Sequence, residues 1–225
     1  MATVVSAHKS EPTSQQEGAY KETLAGVGSR PLEEVKAKRY GETTKGEVNR
    51  ASFVRTDYAM ELEEGVNRQI DFENSLGYIS LAISAYMDRD TVALPGCAKF
   101  FRASAMSEKE FGDACKFMAF QNTRGGRVQL MAIPMPDSDY YSREKGDALY
   151  AFELALALQK LNLDKLKALH RLADQGDDFQ AQDFIEDEMS AQACVIKQLG
   201  DYVCELQRVS GDRLGVFRFD EELAG

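Results

Sequence analysis

Residues 70–83 read Ile70-Asp-Phe-Glu73-Asn-Ser-Leu76-Gly-Tyr-Ile79-Ser-Leu-Ala-Ile83 and predict an apolar helix with one carboxylate on its buried face. Side chains three and four positions apart lie on the same side of a helix, so Glu73 shares its face with Ile70 and Leu76. A buried carboxylate is costly unless it is paired or protonated. We therefore expect Glu73 to face a compensating group, either a Lys or Tyr side chain or a metal ion.

A second pair of acids, Glu110 and Asp113, shares an apolar stripe with Phe117 and Met118 one turn later. Carboxylates from different helices that face one interior are tolerated when a cation lies between them. If the helix were rotated, the same two acids would form a solvated face. We favour a metal site built from Glu73, Glu110 and Asp113.

The remaining pattern predicts an all-α protein. Amphipathic helical periodicity covers four long segments and one short segment, and no strand-like alternation competes with it. The segments are Tyr58–Met87, Gly96–Arg124, Ser142–Ala173, Asp178–Val209 and Asp212–Leu223.

The connections between these segments predict the topology. Asp88–Pro95 and Asp174–Asp178 are short and suit antiparallel neighbours. The link that follows Gly125 is longer and contains Pro134 and Pro136, so it should run extended along the bundle. The expected architecture is a four-helix bundle with one long crossover and a short fifth helix.

Composition limits the classes of function. The chain has 225 residues, is 44% hydrophobic and carries a formal net charge of −10. An acidic protein repels phosphate backbones and attracts cations, so no nucleic-acid partner is expected. Neither a membrane-spanning run nor a secretory leader is visible in the sequence, so no membrane partner is expected either.

The inventory of metal-binding side chains excludes several kinds of site. The four cysteines are far apart in sequence and form no Cys-x-x-Cys motif, and the two histidines are His8 and His170. A zinc or copper centre rich in histidine is therefore excluded, and a metal here would be held mostly by oxygen.

The chain divides by composition into two regions. Residues 1–56 are rich in polar and charged side chains and show no sustained periodicity, which predicts a partly ordered extension. Residues 57–225 hold all the long helical patterns and form the predicted bundle domain.

Several motifs in the bundle domain resemble eukaryotic ferritins, from about Glu61 to the end of the chain. They are Met87-Asp-Arg-Asp-Thr-Val-Ala-Leu94, Ala98-Lys-Phe-Phe101, Phe120-Gln-Asn-Thr-Arg-Gly-Gly-Arg127, Asp183-Phe-Ile-Glu186 and Leu199-Gly-Asp-Tyr-Val203. The segment Arg30–Lys36 and the charged residues after it are similar to the extension peptide of plant-type ferritins.

This resemblance implies an iron-storage subunit with the ferritin-like fold. Such subunits form a hollow shell, expected here to have 24 copies and open to mixing with other ferritin subunits. The shell takes up Fe²⁺, oxidises it with O₂ or peroxide at an intrasubunit carboxylate site and stores a ferric mineral. The alternative is a structural subunit, similar to a light chain, with little or no ferroxidase activity.

The resemblance also assigns the ligands of the iron site. Glu73 matches the family's first-helix ligand and Glu110 matches the glutamate that bridges two irons. Asp113 stands where the family has a histidine, and Gln159 stands where it has a glutamate of the second iron position. The substitutions leave open a di-iron or a single-iron site and predict weakened ferroxidase chemistry.

Two further positions depart from the family pattern. Its fourth-helix glutamine corresponds to Ala193, with Gln192 as the neighbouring substitute, and a first-helix tyrosine corresponds to Ser80. The chain also has two more residues than the family between Phe101 and Met118. If they follow the site, Glu108 replaces Glu110 as the bridging acid; we prefer Glu110 with Asp113, because their stripe keeps helical spacing.

Asp183 and Glu186 lie three apart near the start of the fourth long helix. By themselves they would be solvated acids favoured by the helix dipole. The resemblance instead places them in three-fold pores through which iron enters the shell. The plant-type extension suggests a plastid location, with the cytoplasm as the alternative because Glu11 and Glu17 are unusual in a transit peptide.

Overall fold

The computed structural model describes residues 52–106, 111–209 and 211–225, all within the compact unit Ser52–Gly225. The predicted extension lies outside the described residues up to position 51. The described residues form helices, turns and irregular segments, without strands. The helices are α1 (Met60–Met87), α2 (Pro95–Met106), α3 (Phe111–Thr123), α4 (Gly146–Gln175), α5 (Phe179–Arg208) and α6 (Arg213–Ala224).

This architecture confirms the predicted all-α bundle with a long crossover and a short last helix. The main difference concerns the predicted helix Gly96–Arg124, which the structure assigns as two helices, α2 and α3. Residues 107–110 between them lie outside the described residues. The division falls inside the interval Phe101–Met118, where two more residues are expected than in the ferritin pattern. Such an insertion must be absorbed by a local distortion of the helix.

The crossover runs along α1, as its prolines predict. Asn67 uses both ends of its amide here: Nδ2 donates to the Arg127 carbonyl at 2.9 Å, and Oδ1 accepts from the Gln129 amide at 2.9 Å. The Met131 amide donates to Oδ1 of Asp71 at 3.1 Å. These bonds satisfy backbone groups that would otherwise lack partners in an extended segment.

Two apolar clusters hold the helices together. The Phe152 cluster lies at one end of the bundle and includes Ile83, Phe101, Phe152, Leu199 and Phe219. The Ile70 cluster lies at the other end and includes Leu62, Ile70, Phe117, Leu166 and Ile185. On α1, α4 and α5, the residues between the two clusters include buried polar side chains, and the candidate site lies in that interval.

Helix α6 closes the Phe152 end of the bundle against the start of α2. Asp220 on α6 is buried, and its Oδ1 accepts a hydrogen bond from the Cys97 amide at 2.7 Å. A Cβ atom at Gly96 would lie 1.9 Å from the Asp220 carbonyl oxygen, so only glycine permits this approach. None of the described helices is long and apolar enough to cross a membrane.

Candidate metal centre

Five buried polar side chains from three helices occupy the space between the apolar clusters, and we call them the polar layer. Their spacing follows the helix period: Gln69 and Glu73 are four apart, and Gln159 and Asn162 are three apart. The layer consists of Gln69 and Glu73 on α1, Gln159 and Asn162 on α4, and Gln192 on α5.

Glu73 lies at the centre of the polar layer with only 2% of its surface exposed. Its Oε1 accepts hydrogen bonds from Gln69 Nε2 at 2.6 Å and from Asn162 Nδ2 at 3.0 Å. Gln69 Nε2 also donates to Asn162 Oδ1 at 2.7 Å, which ties the two amides to each other. These neutral donors solvate the carboxylate in place of water and fix its orientation.

The amides of α4 and α5 continue this network. Gln192 Nε2 donates to Oε1 of Gln159 at 2.6 Å and to the Gln159 carbonyl at 2.9 Å. Its Oε1 accepts from Asn162 Nδ2 at 3.3 Å. Gln192 is buried, whereas Ala193 is exposed, so the glutamine that faces the site is Gln192. Adjacent side chains on a helix are turned by about 100°, so Ala193 points away from the site and Gln192, the predicted substitute, points into it.

A cavity of about 220 Å³ opens beside the polar layer. Polar side chains line one part of its wall, and apolar side chains such as Phe100, Phe101 and Leu199 line another. The polar lining comes from Glu73, Ser80, Asp113, Gln159, Gln192 and neighbouring residues. Ser80 is buried and lines this cavity from α1.

Asp113 approaches the cavity from α3 and is half-buried. Its Oδ1 accepts from the Lys116 ammonium at 2.7 Å, and the same ammonium lies 3.3 Å from Oε2 of Glu188 on α5. Burial raises the pKa of Glu188 above its ordinary value, and the charge of Lys116 opposes that shift. The structure therefore adds Glu188 and Lys116 to the predicted surroundings of Asp113.

Glu110 and Glu108, the two candidates for the bridging acid, lie outside the described residues. Within the described ranges, no group of three or more His, Cys, Asp or Glu side chains is close enough to hold a metal ion. The described part of the site thus contributes two carboxylates, from Glu73 and Asp113, and amide oxygens. Oxygen donors of this kind suit hard or borderline cations.

Two members of the polar layer, Gln69 and Asn162, were absent from the predicted site. Both positions carried a signal, because Gln69 precedes Glu73 by one helical turn and Asn162 follows Gln159 by three residues. The structure buries Asn162 and leaves its apolar neighbour Leu163 half-buried.

Asp183 and Glu186 are exposed on the first two turns of α5. Oε1 of Glu186 lies 2.9 Å from Nε2 of His170, which joins this acid to the end of α4. The pair is separate from the polar layer and lies on the surface of the single chain. A pore would require further copies of the chain at this surface.

Comparisons with known proteins agree on one family. The family described as "Ferritin-like domain" matches residues 63–209. A chloroplastic ferritin of Malus baccata var. xiaojinensis is 46% identical over 201 residues, covering 89% of this chain and 78% of the relative. "Ferritin-3, chloroplastic" of Arabidopsis thaliana is 45% identical over 204 residues, covering 90% and 76%. A crystal structure of ferritin from the green alga Ulva pertusa matches with a TM-score of 0.80 and 37% identity, covering 87% of this chain and 98% of that one.

Proposed function

This chain belongs to the ferritin family of iron-storage proteins, and we propose that it binds Fe²⁺ at Glu73 and Asp113, promotes its oxidation there and stores the ferric product as mineral. The observation that carries this proposal is the buried Glu73 carboxylate, which shares one cavity with Asp113. Two carboxylates in a poorly solvated site attract a cation strongly. We assign Glu110 as the third, bridging carboxylate.

The carboxylates also favour oxidation of the bound Fe²⁺. Loss of one electron from Fe²⁺ adds a positive charge, and anionic ligands stabilise the more highly charged ion. The electrons pass to O₂ or peroxide, which act as the oxidant. The amides of Gln69 and Asn162 hold Glu73 in place, so the ligand is oriented before iron arrives.

The second iron position should bind Fe²⁺ more weakly than the first. Gln159 supplies a neutral amide where the family has a carboxylate, and that amide is already bonded to Gln192. A second Fe²⁺ there would gain less electrostatic stabilisation, so oxidation that couples two irons should be slow. We infer weakened ferroxidase activity, with either a single-iron or a poorly occupied di-iron site.

We further propose a hollow shell of 24 subunits, either of this chain alone or mixed with other ferritin subunits. Asp183 and Glu186 would converge with their copies at three-fold pores. A passing cation would relieve the repulsion within this ring of like charges. We infer a plastid location, because the similar plant relatives are named chloroplastic.

Replacement of Glu73 tests the proposed oxidation site. In the purified assembled protein, we expect Glu73→Ala to slow aerobic Fe²⁺ oxidation at least about tenfold, equivalent to about 1.4 kcal/mol in the barrier. Glu73→Gln keeps the size and a hydrogen-bond acceptor, and should slow the reaction as well. The measurement is the absorbance time course of ferric product.

The matched control is Glu64→Ala, because Glu64 lies on the same helix and its side chain is 68% exposed. It should oxidise iron at the wild-type rate. Wild-type rates in both Glu73 variants, with native mass and helicity preserved, would disprove the role of Glu73.

Restoration of the family's ligands tests the weakness of the second position. We expect Gln159→Glu combined with Asp113→His to raise the initial oxidation rate several-fold, because the pair restores a negative charge and a nitrogen ligand. Gln207→Glu adds the same charge at an exposed position on α5 and serves as the control. No gain in the double variant would contradict the ligand assignment.

A further inference from the structure

The Lys116 ammonium lies between two carboxylates from different helices. Its Nζ is 2.7 Å from Oδ1 of Asp113, one turn earlier on α3, and 3.3 Å from Oε2 of Glu188 on α5. The lysine side chain is 47% exposed, whereas only 22% of the Asp113 side chain and 12% of the Glu188 side chain are exposed. A half-exposed ammonium on a long side chain thus lies beside two acids that are largely withdrawn from water.

The charges in this group depend on one another. One ammonium lies within hydrogen-bonding distance of two carboxylates, and both carboxylates are largely shielded from water. The ammonium therefore neutralises carboxylates that would otherwise repel each other.

Asp113 belongs to two cavities at once. It lines the 220 Å³ cavity that contains Glu73, and it also lines a groove of about 390 Å³ with Lys116 and Glu188. Gln192 lines both as well, so the groove adjoins the buried cavity on the α5 side. The Asp113 carboxylate can thus bind a cation either in the buried cavity or in the groove.

We propose that Lys116 is a built-in competitor for the metal ion at Asp113. Its ammonium occupies the position where a divalent cation would bind Asp113 and Glu188, so a metal gains full use of Asp113 only when the lysine leaves. Lys116 is a positioning residue that limits occupancy next to Glu73, and Glu188 is the additional oxygen ligand on the groove side. This inference rests on the proposed function insofar as Asp113 is a metal ligand.

The geometry is compatible with an exchange of cations. An ammonium needs about 2.7–3.3 Å to each oxygen, and a divalent metal such as Zn²⁺ needs about 2.0–2.2 Å. The two acids must therefore close on a metal by a small movement, which the short Asp and longer Glu side chains allow. A doubly charged ion also interacts more strongly with two carboxylates than a single ammonium does.

Zn²⁺ binding to the assembled, iron-free protein tests the competition, since Zn²⁺ is redox-inert and its binding does not depend on oxidation. The variant is Lys116→Gln, which removes the charge and keeps most of the side-chain length. In calorimetric titration we expect one Zn²⁺ site per chain to tighten about tenfold. Lys116→Arg should behave like the wild-type protein, because it retains the competing charge.

Two further variants separate this effect from a general gain of negative charge. Lys167→Gln breaks a similar exposed ion pair with Asp164, three residues earlier on α4, and should leave Zn²⁺ affinity unchanged. The combination of Lys116→Gln with Asp113→Asn should lose the gain. Unchanged affinity in Lys116→Gln, or a gain that survives Asp113→Asn, would overturn the inference.

These results are independent of the test of the oxidation site. If Glu73→Ala loses oxidation while Lys116→Gln binds Zn²⁺ like the wild type, the competition is wrong and the proposed function stands. If Lys116→Gln tightens binding but Glu73→Ala oxidises normally, the competition stands as a cation site and the proposed oxidation site fails.

Discussion

At the residue scale, Tyr140 buries a hydroxyl group for which the described residues provide no hydrogen-bond partner. The side chain is only 2% exposed, and its ring packs edge-to-face on Tyr86 with 5.6 Å between centroids. Burial raises its pKa to about 12. A buried polar group without a partner reduces stability by about 1–3 kcal/mol relative to a satisfied one. The packed ring therefore stabilises the fold, whereas the buried hydroxyl lowers the free energy of unfolding.

Tyr140→Phe should stabilise the protein by about 1 kcal/mol near neutral pH, because it removes the unsatisfied hydroxyl and keeps the ring. The gain should grow above pH 10. There the unfolded state ionises its tyrosine first, so the wild-type protein loses stability as pH rises from about 10 towards the folded-state pKa of about 12. Phenylalanine has no such loss. Urea unfolding at several pH values measures both effects.

Tyr141→Phe is the natural comparison, because Tyr141 is the next residue and is 60% exposed. It should change the unfolding midpoint little. Burial also raises the pKa of Tyr58 and Tyr86. The wild type and both variants therefore share the loss of stability at alkaline pH that these two tyrosines cause. A Tyr140→Phe variant less stable than the wild type would mean that the hydroxyl has a partner.

At the scale of helices, a buried ion pair joins the end of α3 to the start of α5. Arg124 donates from both terminal nitrogens to the two oxygens of Asp178, at 2.7 and 2.8 Å. Oδ1 of Asp178 also accepts from the Ala181 amide at 3.0 Å and caps α5. The sequence predicted a helix that begins at Asp178, and the capping bond gives the reason. Arg124 anchors that cap.

Arg124→Met should lower the free energy of unfolding by about 3 kcal/mol, because it leaves the Asp178 carboxylate buried beside an apolar side chain. Arg218→Met breaks an exposed pair with Glu221 and should cost less than about 1 kcal/mol. Urea midpoints of the two variants give the comparison. Equal, small effects would show that Asp178 is well solvated without its arginine.

Periodicity predicted the helices well because long amphipathic stripes depend on local spacing. Contacts between helices could not be predicted from this local spacing. Gln192 and Ala193 are adjacent in sequence, and only the packing of α5 against α4 decides which one faces Glu73. The approach of Glu188 to Lys116 likewise joins residues 72 positions apart. Asn162 could be found by its spacing, but a lone asparagine does not reveal its partner.

At the scale of the whole molecule, the acids on the start of α5 connect the single chain with its proposed shell. Asp183 and Glu186 are exposed in the isolated chain. If they line pores, their negative charge acts on iron outside the shell before it reaches Glu73. Charge at a pore affects the rate of cation delivery more than the stability of the subunit.

Asp183→Asn combined with Glu186→Gln should therefore leave the native mass of the assembled protein unchanged and slow iron loading several-fold, most strongly at low salt. Native mass spectrometry measures assembly, and the initial rate of ferric absorbance measures loading. Asp201→Asn alters an exposed acid later on the same helix and should load iron normally. Wild-type loading in the double variant would exclude the pore role.

The separation of the core into a Phe152 cluster and an Ile70 cluster has an evolutionary consequence. Each end of the bundle is cohesive by itself, so the side chains at mid-height are under little pressure to maintain the shape. Polar side chains at this level can therefore change in charge or size while the helices keep their course. Substitutions at this level can thus alter the affinity for a cation and leave the fold unchanged.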